Sequence, residues 1–198
     1  HFSPSFPLQA QDISYGLQQA VSVTTLIGAG AEVRYHIPSN GENDVREGNN
    51  EESWIASGFP DAQWNIGNTG IGYATRSPDS YDLFIETDIE EEMFREASSI
   101  YMRAPFDVSD PTSFSPLSLK MRWDDGFVAY LNGNPLPIAE ENAPTTNDLD
   151  YQLSTTASHS DAQAVVFDTY DISPSLLSVG ANILCIHGLN VSEGSTDF

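Results

Sequence analysis

Apolar and polar residues alternate along most of this chain, and long helical periodicity is rare. "VSVTTLI" (21–27), "EVRYHIP" (32–38), "SIYMRAPFDV" (99–108), "LSLKMRW" (117–123), "FVAYL" (127–131), "AVVFDTYDI" (164–172) and "NILCIHGL" (182–189) each read as a β-strand. Turn formers separate them: "PSNGEND", "SDPTSFSP", "NGNP" and "ENAPTTND". Asn132-Gly133 falls between two short apolar runs, and both residue types tolerate positive φ, so a tight hairpin is expected there. Two helical pieces are expected. "TDIEEEMFREA" offers Thr87 or Asp88 as cap, acids in its first turn, and Ile89, Met93 and Phe94 on one face. "SPSLL" (173–177), with Ser173 as cap and Pro174 in first position, allows one turn.

Many short strands without alternating helices imply one all-β domain, a two-sheet antiparallel β-sandwich with one or two short helices. Residues 1–20 lack clear periodicity and read as an N-terminal arm or linker, leaving 21–198 as the sandwich. No repeat of fixed period interrupts it.

Charge narrows the function. Seven Lys and Arg face 29 Asp and Glu, for a net charge of −22 at pH 7. Such a surface repels phosphate backbones and anionic lipid, which disfavours nucleic acid and membrane partners. It suits an extracellular or cell-surface setting, or divalent cations that neutralise some carboxylates. The single cysteine, Cys185, can form no internal disulfide and reads as a small core residue. No run approaches the ~18 apolar residues of a membrane span. No signal-peptide pattern opens the chain, and "HFSPSFPLQAQ" reads as a mature or excised segment.

The common catalytic signatures G-x-S-x-G, H-E-x-x-H, the P-loop and G-x-G-x-x-G are missing. His1, His36, His159 and His187 are scattered without metal-ligand spacing. A non-catalytic role is therefore expected. The local cluster with most chemistry is "WDDG", Trp123 to Gly126, just ahead of the hairpin. Adjacent side chains on an extended strand point to opposite faces, so the two aspartates serve one site only if the backbone turns. Gly126 supplies that freedom. Two readings stay open: a carboxylate that accepts backbone N–H bonds and fixes the turn, or one that grips an ion or sugar hydroxyls. An exposed ring beside carboxylates and amides is what sugar recognition needs, since the ring stacks on C–H groups while polar groups take hydroxyls. Trp54 and Trp64, spaced W-x4-F-x4-W around Phe59, read instead as a compact cap on the sandwich.

The series "LIGAGAEVRYHIPSNG", "SWIASGFPDAQWNIGNTGIGY", "SIYMRAPFDVSDP", "LSLKMRWDDGFVAYLNGNPL" and "GANILCIHGLN" resembles a galactose-binding-like jelly-roll module of large secreted or surface proteins of planctomycetes and related marine bacteria. Its core is also similar to the non-catalytic sugar-binding domains of β-galactosidase-like glycoside hydrolases. The resemblance covers about residues 23 to 198. It implies a jelly roll and an accessory module of a larger polysaccharide-active or adhesive protein, with a glycan or a structural Ca²⁺ as ligand. It carries no ligand set over as a unit, and "PIAEEN" puts Glu140 and Glu141 where similar modules often have an arginine. The expected ligand-binding residues are Trp123, Asp124, Asp125, Asn132 and Tyr151, with Asp197 and Asp125 as metal ligands. Calcium-dependent adhesion would draw also on Asp148 and Asp150. A neutral glycan fits the acidic surface best. The alternative is a structural spacer or protein-interaction domain whose partners are neighbouring domains of its parent. Exposure of Trp54, Trp64 and Trp123 discriminates between the two.

Overall fold

The computed structural model describes residues 22–38, 53–75, 82–144 and 154–198. The expected arm at 1–20 lies outside them. The strands in chain order are β1 (Glu32–His36), β2 (Asn65–Asn68), β3 (Ile71–Gly72), β4 (Thr87–Asp88), β5 (Ser99–Val108), β6 (Leu117–Met121), β7 (Gly126–Leu131), β8 (Asn134–Glu141), β9 (Asp168–Ile172) and β10 (Gly180–Leu189). A six-stranded antiparallel sheet runs β2-β1-β5-β10-β7-β8, and β6 pairs antiparallel with β9 in a second layer. The pairing of β3 with β4 is parallel. The fold is an all-β sandwich with two short helices, α1 (Glu90–Met93) and α2 (Asp161–Ala164).

Alternation explains the layers. Along β5 and β10, which pair without a break from Gly180↔Val108 to Leu189↔Ser99, successive side chains enter opposite faces. Phe127, Ala129, Leu131, Val108 and Ile186 pack with Tyr170 and Ile172 of β9, filling the space between the layers. The other face carries Tyr101, Ile183 and Cys185 under Trp54 and Ile55, so segment 53–64 is a lid on the large sheet. Trp54 is 3% exposed and meets Tyr101, Tyr130 and His187 edge-on. One clamp fastens this lid. Arg103, 2% exposed, donates Nε to Asp61 Oδ2 at 2.7 Å and its Nη1 to the Trp54 carbonyl.

The hairpin forms as its sequence predicts, with Asn132 at φ 52° and Gly133 at φ 80° joining β7 to β8. Three expectations need correction. Residues 22–27 form no strand; among the described residues they have no pairing neighbour, and Val23 is 89% exposed. "TDIEEEMFREA" helps build β4 and then makes a single helical turn, because Phe94 is extended and Arg95 has φ 67°. Ile89 and Met93 are nevertheless buried on one face as expected. Finally, "AVVFDTYDI" becomes a strand only from Asp168. Ser160-Asp161-Ala162-Gln163 is itself a helix-start signal, with Ser160 Oγ donating to Gln163 Oε1 at 2.8 Å, so α2 takes Ala164 and the turn leaves Val166 and Phe167 outside.

Candidate functional site

The Asp124–Asp125 pair sits where the chain leaves β6 and enters β7. Asp124 Oδ1 accepts from the Asp125 N–H at 2.9 Å, and its carbonyl accepts from Gly126 N–H at 2.9 Å, closing a tight turn. The positive φ falls on Asp125 (56°), not on Gly126; aspartate is among the few side chains that tolerate it. Gly126 is required for proximity: a Cβ there would lie 2.7 Å from the Glu141 carbonyl oxygen and 2.7 Å from Thr155 Cγ2. Asp125 is 4% exposed and accepts from His159 N–H at 3.0 Å through Oδ1 and from Val191 N–H at 2.8 Å through Oδ2. Its carbonyl takes Asn142 Nδ2 at 2.7 Å. One residue thus ties three separate segments together. Burial raises its carboxyl above the ordinary aspartate range, outweighing the two amide bonds, with Asp197 adding to the rise.

The other expected residues do not join it. Asn132 lies at the far end of β7, about 20 Å along the strand from Asp125. There its Nδ2 donates to Leu176 O (2.9 Å) and Asn182 Oδ1 (2.7 Å), and its Oδ1 accepts from Ile183 N–H (2.9 Å). It is a peg between the hairpin, the turn at Pro174–Leu176 and β10. Tyr151, Asp148 and Asp150 lie outside the described residues. Asp197 pairs by a backbone bridge with Ala74, and its Oδ1 accepts from Ser195 Oγ at 3.0 Å. Asp125 and Asp197 both bear on the buried Tyr73 hydroxyl, whose pKa is raised by burial first and by these acids after it. Calcium takes roughly six to eight oxygens, and among the described residues no three His, Cys, Asp or Glu side chains converge to hold a metal. Both Asp125 carboxylate oxygens already accept backbone N–H bonds, from His159 and Val191.

Trp123, like Asp124, Asn132 and Asp197, stays partly at the surface. Half-buried, it carries the His159 ring stacked on one face (3.7 Å between centroids, 8° between planes), while its Nε1 donates to Asp168 Oδ2 at 2.8 Å. His159 Nδ1 lies 2.9 Å from the Trp123 carbonyl. Of the three tryptophans, Trp54 is buried and Trp64 and Trp123 are half-buried. Next to Trp123 lies a group that sequence reading missed. The Arg122 guanidinium packs over both Phe84 (4.0 Å to the ring centroid) and Phe167 (3.9 Å), and its Nε donates to the Val165 carbonyl at 2.8 Å. Phe167 is 50% exposed and Phe84 39%, with Val166 and Leu83 more open still. The corner therefore combines exposed apolar rings, a cation and the Asp168 carboxylate. The available signal was the position of Arg122, one of only seven cations, beside Trp123.

A concavity of about 530 Å³ away from that corner is lined by His36, Ile37, Pro38, Asn65, Glu91, Glu92 and Glu96. His36 stacks on Trp64 at 5.6 Å, and Glu92 accepts from the Tyr35 hydroxyl at 3.3 Å. Its three glutamates make it a poor seat for anions.

No protein-family model and no curated protein matches the chain. Solved structures resemble it in fold. A β-glucuronidase from Ruminococcus gnavus superposes with a TM-score of 0.48 at 13% identity, over 89% of this chain and 23% of its own. A calcium-binding mutant of Bacteroides uniformis β-glucuronidase 2 gives 0.46 at 12%, over 83% and 14%. A glycosyl hydrolase family 2 member from Bacteroides cellulosilyticus gives 0.44 at 12%, over 81% and 17%. The chain thus spans a small fraction of the length of these enzymes. At these scores and identities the likeness is one of fold alone, and it says nothing of a planctomycete source.

Proposed function

We propose that the chain is a non-catalytic carbohydrate-binding module of a larger extracellular polysaccharide-active or adhesive protein, and that the corner around Trp123 is its ligand surface. The observation that carries this reading is the pair of half-exposed rings, Phe84 and Phe167, beside Arg122 and the Trp123–Asp168 pair. Exposed ring surface offers stacking to the C–H face of a sugar, and in-plane N–H and carboxylate groups next to it offer bonds to hydroxyls. Most of the other large aromatic side chains described are buried or half-buried, so the corner concentrates what a saccharide needs. Asp125 and Asn132 support the reading indirectly, by fixing the two ends of β7.

A glycan-array screen, run with Ca²⁺ and again with a chelator, tests it. Phe167→Ala removes an exposed ring without opening the core, and it is expected to abolish the hits. Trp123→Ala should do the same while also lowering stability. Binding untouched by both variants would move the site elsewhere. Binding to no glycan would leave the exposed apolar corner as a contact for a neighbouring domain of the parent protein.

A further inference from the structure

We infer that Arg122 is a carboxylate receptor, and that the ligand of this corner is a saccharide bearing a uronic acid; the inference rests on the carbohydrate-binding reading above. The guanidinium carbon lies over both the Phe84 and Phe167 rings, 4.0 and 3.9 Å from their centroids, so the rings take up π-facing contact and the N–H groups are what the side chain has for further bonds. Nε is already spent on the Val165 carbonyl. The two terminal nitrogens remain, four N–H donors in one plane, and among the described residues no carboxylate pairs with them. Arg95 and Lys120 likewise have no carboxylate partner among the described residues, but neither is held by two rings. Arg103 and Arg34, by contrast, both reach Asp61. A planar fork held by two rings and a carbonyl is pre-organised for the two coplanar oxygens of a carboxylate, which it meets with paired charge-assisted bonds. Lys120 lies two residues back along β6, exposed on the outward side, so the surroundings of the fork include a second cation. The apolar rims, Phe167 and Phe84, then face the C–H groups of the same sugar. The expectation of a neutral glycan, drawn from the whole-chain charge, gives way here to the local arrangement.

The test is calorimetric titration of the intact chain with a neutral oligosaccharide that ends in a single galacturonate, its carboxyl-reduced counterpart and a counterpart of equal length with one terminal sulfate. The uronate is expected to bind about tenfold or more tightly than the reduced sugar. Arg122→Gln should erase that ratio and leave the reduced sugar's affinity within about twofold. Arg122→Lys keeps the charge without the fork and should lose most of the ratio, which keeps the test informative if the glutamine variant folds poorly. Arg95→Gln, which removes a cation over Phe94 elsewhere, should change nothing. Equal affinity for uronate and reduced sugar, an Arg122→Gln variant that keeps the ratio, or tighter binding of the sulfated sugar would each overturn the carboxylate assignment while leaving a carbohydrate module standing. Failure of all three sugars and of the glycan array would overturn the carbohydrate reading itself.

Discussion

Replacing Asp125 with alanine separates a structural carboxylate from a ligand-binding one. The substitution strands two buried backbone N–H groups, those of His159 and Val191. Each orphaned donor costs about 1–3 kcal/mol. Alanine at the positive φ of Asp125 adds about 1 kcal/mol. Removing a desolvated carboxylate returns a similar amount, so the net loss is about 2–6 kcal/mol. For a domain of this size that is a fall in melting temperature of about 5–20 °C. Asp125→Asn tolerates the left-handed backbone and keeps one acceptor oxygen, so it should lose about half as much. Urea denaturation of the three proteins at pH 7 measures the series. An alanine variant within about 1 kcal/mol of wild type would refute the three-way tie.

The pH dependence gives a second, independent reading of the same group. Burial raises the Asp125 carboxyl in the folded state, so the folded protein holds this proton at a pH where the unfolded chain has lost it. The stability this group contributes is therefore complete below the unfolded value of about 4 and declines as pH rises through the folded one. The stability gap between wild type and Asp125→Asn should accordingly be widest in acid and narrow upward. A gap that widens with pH would mean that the two amide bonds outweigh burial.

Three further substitutions or reagents probe the frame. Asn132→Ala loses the bonds to Leu176, Asn182 and Ile183 together with a residue suited to positive φ, and should cost about 2–4 kcal/mol in urea without altering glycan specificity. Asp61→Asn leaves the buried Arg103 without its counter-charge; because Asp61 is 24% exposed, about 2–3 kcal/mol is expected, and Trp54 emission should shift red as the lid loosens. The Cys185 thiol, pushed up to about 12 by burial beneath that lid, should resist a thiol reagent at pH 8 in the native state and react at once in denaturant. A thiol titratable under native conditions would contradict the packing of segment 53–64.

The sheet was legible because its strands obey one simple rule. β5, β7 and β10 alternate between two buried faces, and Asn132-Gly133 has the backbone chemistry of a two-residue hairpin, so composition and spacing sufficed. The two faces of the large sheet explain why Trp54 was readable as a cap and Cys185 as core. The candidate site was less legible, for three physical reasons. "AVVF" reads as the start of a strand, yet α2 turns the chain and exposes Val166 and Phe167, and only tertiary geometry decides which apolar residues stay outside. Asp125 binds amides of His159 and Val191, 34 and 66 positions away, a relation no local pattern carries. The Arg122 clamp draws Phe84 from a loop 38 residues upstream and Phe167 from 45 downstream, so its aromatic partners could not be paired from spacing.

The acidic surface and the Arg122 corner act over different distances, and together they constrain the ligand further. At physiological ionic strength charges are screened beyond about 8 Å, so a carboxylate held by the fork senses the guanidinium, Lys120 and Asp168 rather than the net −22 of the chain. A long polyuronate lying across the module would instead bring successive carboxylates over neighbouring acids, each contact unfavourable. The arrangement therefore suits a saccharide that presents one acidic residue at its end and neutral residues behind it. On this proposal the terminal carboxylate would enter the fork and the first ring would lie along Phe167, while the rest of the saccharide would leave over carboxylates that accept hydroxyl bonds but repel further anions.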